Sequence, residues 1–136
     1  MKKNIVLFSF IMLTSVVLLA QSGKSKIEVL YFKANLCGCK AKVCAQAGAD
    51  IQTILIKNFA DSSVVFREVK LADEANKTLV EKYKAQSQTL VLVKTTKKKE
   101  VSLDITDLVK AYSQSGDKTV LETALLEKVN EIKKKK

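Results

Sequence analysis

Apolar and polar positions along the chain follow two periods, and their alternation outlines the elements. Ile27 to Phe32, IEVLYF, is dense in β-branched and aromatic residues and predicts a buried strand. From Cys39 to Phe59 the pattern becomes helical, with Val43, Ala47, Ile51, Ile54, Leu55 and Asn58 at three- and four-residue steps on one stripe. Gly48 is a weak point within that helix but not a stop. Asp61-Ser62-Ser63 reads as a turn, and Val64 to Leu71 as a second strand. Asp73 is placed to cap a helix running through about Tyr83, with Ala75, Leu79, Val80 and Tyr83 inward. Thr89 to Val93, TLVLV, is apolar on both faces and predicts a central strand. Lys97 to Lys99 makes a turn into a short fourth strand, Glu100 to Leu103, in a hairpin with the third. A helical segment is expected from about Asp104 to Tyr112, then a loop over Ser113 to Asp117. A final helix spans Thr119 to Ile132, with Leu121, Leu125, Leu126, Val129 and Ile132 inward.

The order is therefore βαβαββα, with one additional helical piece before the last helix. Strands alternating with helices predict an α/β fold with a central four-stranded mixed sheet flanked by helices. Right-handed crossovers would set the first strand in mid-sheet, parallel to its partners. There are no internal repeats and no inter-domain linker.

The first stretch has a different character. Two lysines precede an apolar run from Ile5 to Ala20, and small and polar residues follow. This is the layout of a secretory signal peptide over 1–20, cleaved after Ala20, which leaves a single domain over 21–136. The run is slightly short for a comfortable membrane span, so a retained anchor is the lesser alternative. No cysteine follows the run, which argues against a lipid anchor there. The domain is expected in an exported compartment, the periplasm, where paired thiols become meaningful.

Composition adds two constraints. Of 136 residues, 47% are hydrophobic, which is enough for an ordinary core, and proline is absent, so no cis-proline turn exists. The formal charge is +10, or about +8 once Lys2 and Lys3 leave with the signal. Lys97 to Lys99 and Lys133 to Lys136 carry much of it. Such runs suit a nucleic acid or an anionic membrane. An exported protein rarely meets nucleic acid, though, and no aromatics interleave these lysines as stacking platforms. Lysines in a last helical turn also complement the helix dipole. The runs are thus expected to be a solvated turn and a solvated helix end. No nucleic-acid partner follows, and a membrane is expected only if the signal is uncleaved.

The chemistry concentrates in residues 36–44, LCGCKAKVC, which hold all three cysteines of a chain with no histidine. With Cys37 at the end of a loop and Cys39 in the first helical turn, free backbone N–H groups and the helix dipole favour thiolate over thiol. Lys40 adds positive charge. Cys37, on the loop side, is the candidate nucleophile, and Cys39 the resolving thiol that closes an intramolecular disulfide. One intervening residue makes that ring small and strained, which tilts the pair toward oxidising or isomerising work, and Gly38 makes the bend feasible. Cys44 lies five residues beyond Cys39 on a different helical face, so those two are not expected to bond. It is either a small buried apolar residue or a third thiolate. Together Cys37, Cys39 and Cys44 suit arsenite or a soft metal, whereas zinc would lack a usual fourth ligand. A structural disulfide with a spare thiol is the remaining reading, although structural bridges usually close longer loops.

FKANLCGCK resembles the thioredoxin active-site segment, an apolar strand followed by W-C-G-P-C-K. Here Leu36 stands for the tryptophan, the proline is missing, and the lysine is Lys40. EKYKAQSQTLVLV, from Glu81 to Val93, is similar to the helix, loop and strand that carry the thioredoxin cis-proline and the threonine after it. The resemblance places Gln88 at the proline position and Thr89 at the threonine, as substrate-binding residues. A narrower likeness is to small exported thioredoxin-like proteins of the ArsF family, named for a nitrophenyl-compound nitroreductase subunit and linked with arsenic resistance. Those relatives usually carry C-x-x-C, whereas this chain has C-x-C plus Cys44. Tyr31 stands where thioredoxins often keep a buried acid. The resemblance implies a thioredoxin-like fold and a thiol–disulfide oxidoreductase that needs no cofactor, with protein or small-molecule thiols and disulfides as partners. The alternative it implies is a non-enzymatic thiolate carrier of arsenite or a soft metal.

Overall fold

The computed structural model describes residues 25–35 and 39–136, with the backbone alone for 39–41. The leader over 1–20 and the site residue Cys37 lie outside the described residues. Four strands, β1 (Lys26–Lys33), β2 (Val64–Lys70), β3 (Leu90–Thr95) and β4 (Glu100–Asp104), form one sheet in the order β2-β1-β3-β4. Among the described residues four α-helices accompany them: α1 (Cys39–Asn58), α2 (Lys77–Tyr83), α3 (Thr106–Ser115) and α4 (Lys118–Lys134). The result is an α/β, thioredoxin-like arrangement: a four-stranded mixed sheet flanked by helices.

β1 sits inside the sheet as expected, but it is parallel to β2 only and antiparallel to β3. Helix lengths explain the difference. α1 has 20 residues and spans about 30 Å, enough to carry the chain back along a strand and start β2 beside the start of β1. α2 has seven residues and covers only about 10 Å, so β3 begins at the end of the sheet where β2 finished and runs the other way.

Period-two alternation divides the sheet into two faces. Ile27, Val29 and Tyr31 of β1, with Leu90 and Leu92 of β3, pack under α1, α3 and α4. Leu30, Phe32, Val69, Val91 and Val93 form the second cluster, closed by Leu79, Val80 and Tyr83 of α2. Both β1 and β3 are therefore buried on two sides, and their near-continuous apolar runs follow from that.

Four helix details depart from the sequence pattern. Val43 is 44% exposed, and Cys44 takes the inward place, so the buried stripe of α1 reads Cys44, Ala47, Ile51, Ile54, Leu55. Asn58 is exposed and caps locally, donating to the Ile54 carbonyl and to Glu122 Oε1. Ahead of α2, Asp73 caps a single 3-10 turn over Glu74–Asn76 in which Ala75 is exposed and Asn76 is buried. Asn76 goes inward because its amide donates to the Lys70 carbonyl at 3.1 Å, tying the turn to the end of β2. α3 starts two residues later than expected and runs on to Ser115, where Gly116 ends it at φ 67. α4 carries Leu121, Leu125, Val129 and Ile132 into the core as its period requires.

Asp50 ties three helices together. It is only 7% exposed, and it accepts from Gln46 Nε2 at 3.0 Å, Lys118 Nζ at 2.8 Å and the Tyr112 hydroxyl. Burial works against its charge, but the hydrogen bonds from Gln46, Lys118 and Tyr112 outweigh it and lower the carboxyl to about 2.

Candidate functional site

The cysteine segment lies between the C-terminal end of β1 and the first turn of α1. Two stretches lie at that end of the sheet. α1 opens with Cys39 and Lys40 and has no acidic residue in its first turn, so nothing of its own offsets the positive end of its dipole. The loop before β3 reaches the same end of the sheet. Gln88 N–H donates to the Phe32 carbonyl at 2.8 Å, and Phe32 N–H donates to the Thr89 carbonyl at 2.9 Å. Both backbone groups of Phe32, five residues before Cys37, are thus occupied by the loop that carries Gln88 and Thr89.

That loop is built without proline. Gln88 takes a left-handed conformation at φ 69, unusual for a residue with a Cβ. Thr89 is buried, and its hydroxyl accepts from Gln86 N–H at 2.9 Å while its own N–H donates to the Gln86 carbonyl at 3.1 Å. Its side chain therefore closes the turn that presents Gln88. The Ser87 hydroxyl oxygen is buried with no hydrogen-bond partner among the described residues.

Cys44 belongs to the layer beneath the site. It is fully buried, and the Tyr31 hydroxyl donates to its carbonyl at 2.9 Å and lies 3.2 Å from its sulfur. Tyr31 is fully buried as well, 6.4 Å from Phe66 ring to ring, and its phenol is pushed upward by burial first and by Cys44 second. Gly48, one turn after Cys44, makes room for this ring. A Cβ there would stand 3.1 Å from Tyr31 Cε1 and 3.2 Å from Cδ1. The weak point in the helix pattern is thus a close approach between helix and strand. Sequence reading missed this contact, although strand alternation and helix periodicity together place Tyr31, Cys44 and Gly48 in one layer.

Lys33, at the end of β1, pairs with Glu68 of β2 at 3.6 Å. Among the described residues, no group of three or more cysteine, aspartate or glutamate side chains is gathered to hold a metal ion. No helix among them is long and apolar enough to cross a membrane.

No family model and no curated protein matches this chain. A solved structure described as "Structure of a malarial protein" is similar at 20% identity over 58% of this chain and 80% of that one, with a TM-score of 0.38.

Proposed function

We propose that this protein is an exported thiol–disulfide oxidoreductase in which Cys37 attacks and Cys39 resolves. The observation that supports it most is the placement of C-G-C-K between the end of a buried strand and the start of a 20-residue helix whose first turn holds no acid. In the reducing direction, the Cys37 thiolate attacks one sulfur of a substrate disulfide and releases the other as a thiolate. The Cys39 thiolate then attacks the Cys37 sulfur, closing the Cys37–Cys39 bond and releasing the second substrate sulfur. Two electrons pass from the protein to the substrate, and the oxidising direction reverses each step. Lys40 and the helix N-terminus stabilise the thiolate, and the loop at Gln88 and Thr89 borders the bound sulfur. Insulin and glutathione disulfide exchange should be measured for the wild type and Cys37→Ser. Equal rates would overturn the proposal.

Residence in the periplasm rests on the leader, Ile5 to Ala20, and is checked by fractionating cells that express the full chain. The competing reading is capture of arsenite or a soft metal by Cys37, Cys39 and Cys44. It requires Cys44 to leave a fully buried position against Tyr31, which counts against it. Titration of the reduced protein with arsenite decides the matter: if Cys44→Ser keeps the affinity, three-thiolate coordination is excluded.

A further inference from the structure

The two lysine runs, far apart in sequence, meet at one pole of the molecule. Lys26 opens β1 opposite Thr95, and Thr95 is opposite Glu100, so the turn with Lys97 to Lys99 overhangs the point where the chain enters the sheet. The end of α4 is fastened to the same place. The buried Lys94 ammonium donates to the Lys133 carbonyl at 2.8 Å and the Lys135 carbonyl at 2.7 Å, and Lys99 Nζ donates to the Lys136 carbonyl at 3.3 Å. The cysteine segment is at the other end of β1, whose eight residues span roughly 26 Å.

Part of this charge is committed. Lys26 pairs with Glu28 at 3.5 Å, Lys135 with Glu131 at 3.2 Å, and Lys133 lies 4.4 Å over the Phe59 ring. Of the nearby acids, Glu100 is held by Lys82 rather than by this pole, and Asp61 accepts from the Ser63 backbone. Lys97, Lys98, Lys134 and Lys136 have no anionic partner among the described residues. The first three of these belong to an exposed turn and an exposed helix end.

We infer that this pole is a docking surface for an anionic lipid bilayer. Before cleavage after Ala20, the apolar run Ile5 to Ala20 is joined to Lys26 by five residues, which reach at most about 18 Å, so insertion of that run during export brings this pole, and not the far end of β1, to the membrane. The chemistry agrees. The free cations are lysines on a turn and a helix end, point charges suited to headgroups, and the Phe59 ring beside them is already covered by Lys133 rather than open for a base to stack on. Docked in this way, the molecule points the C-terminal end of β1 and the start of α1 away from the bilayer. The inference is independent of what the cysteines do.

The test is flotation of the full chain with vesicles of phosphatidylcholine alone and with about 30% phosphatidylglycerol, at low salt and at roughly 0.5 M salt. The expected result is at least about tenfold stronger partitioning onto the anionic vesicles at low salt, lost at high salt. Lys97→Glu/Lys98→Glu/Lys99→Glu should abolish the preference, and the milder Lys134→Gln/Lys136→Gln should reduce it severalfold. A control triple on other surfaces, Lys42→Glu/Lys77→Glu/Lys110→Glu, should retain most of it. Three results would overturn the inference: equal binding to both vesicles, an equal loss in the control triple, or tighter binding to a single-stranded oligonucleotide than to anionic vesicles at matched phosphate.

Discussion

The Tyr31 hydroxyl donates to the Cys44 carbonyl at 2.9 Å and rests 3.2 Å from the Cys44 sulfur, with both residues fully buried. Cys44 should therefore be inert to iodoacetamide in the native protein and react only in denaturant, as read by mass spectrometry of each cysteine. Tyr31→Phe removes the donor and should cost about 1 kcal/mol in urea unfolding. It should also speed labelling of Cys44. Rapid native labelling of Cys44 in the wild type would remove the basis for treating it as core.

Gly48→Ala sets two effects against each other. Alanine gains about 1 kcal/mol of helix propensity, while its Cβ would meet the Tyr31 ring at 3.1 Å, a clash that typically costs about 1–3 kcal/mol. The variant should be less stable than wild type by about 1 kcal/mol. In a Tyr31→Leu background the same change should become neutral or stabilising. A double-mutant cycle in urea measures the coupling.

Asp50 predicts an acid limb of stability. Its folded carboxyl, lowered to about 2, is below the usual carboxylate value, so its contribution is complete above about pH 4 and lost as pH falls toward 2. Asp50→Asn should flatten that limb and cost about 2 kcal/mol at neutral pH, because the charge is lost and one of the two oxygens that serve Lys118 and Tyr112 becomes an NH2 donor. Tyr112 predicts the opposite limb. The hydrogen bond to Asp50, then burial, raises its phenol to about 12, so its contribution is present below about pH 10 and fades above it. Chemical denaturation across the pH range checks both signs.

Lys94 reaches from β3 to the last carbonyls of α4. Lys94→Met keeps the aliphatic stem and removes the donor. The expected loss is about 1–2 kcal/mol, with faster amide exchange confined to the last turn of α4. Unchanged exchange there would mean that the helix end needs no cap from the sheet.

Much of the fold was legible because burial writes a period into the chain. IEVLYF and TLVLV mark strands covered on both faces, and the steps from Leu121 to Ile132 mark one face of α4. The inward face of α1 was harder to read. Val43 and Cys44 are neighbours of similar size and hydrophobicity, and only the fit against Tyr31 decides that the cysteine goes inside. Ala75, expected inward, is exposed for a related reason: composition alone does not show that its neighbour Asn76 has a backbone carbonyl waiting for it at Lys70. The place of the cysteine segment between a strand and a helix was legible, since it is a local pattern.

The sequence by itself determined the order of elements, the apolar stripes and the position of the cysteines at a strand-to-helix junction, because each depends on residues close together in the chain. The tertiary structure decided what depends on distant residues meeting. It made β3 antiparallel to β1, since α2 is too short to return the chain, and it placed Tyr31 against Cys44 across the gap that Gly48 leaves open. It also brought Lys97 to Lys99 and the end of α4 to a single pole through the Lys94 ammonium. No local pattern encodes that meeting, because it arises from the register of β1, β3 and β4 and the length of α4 together.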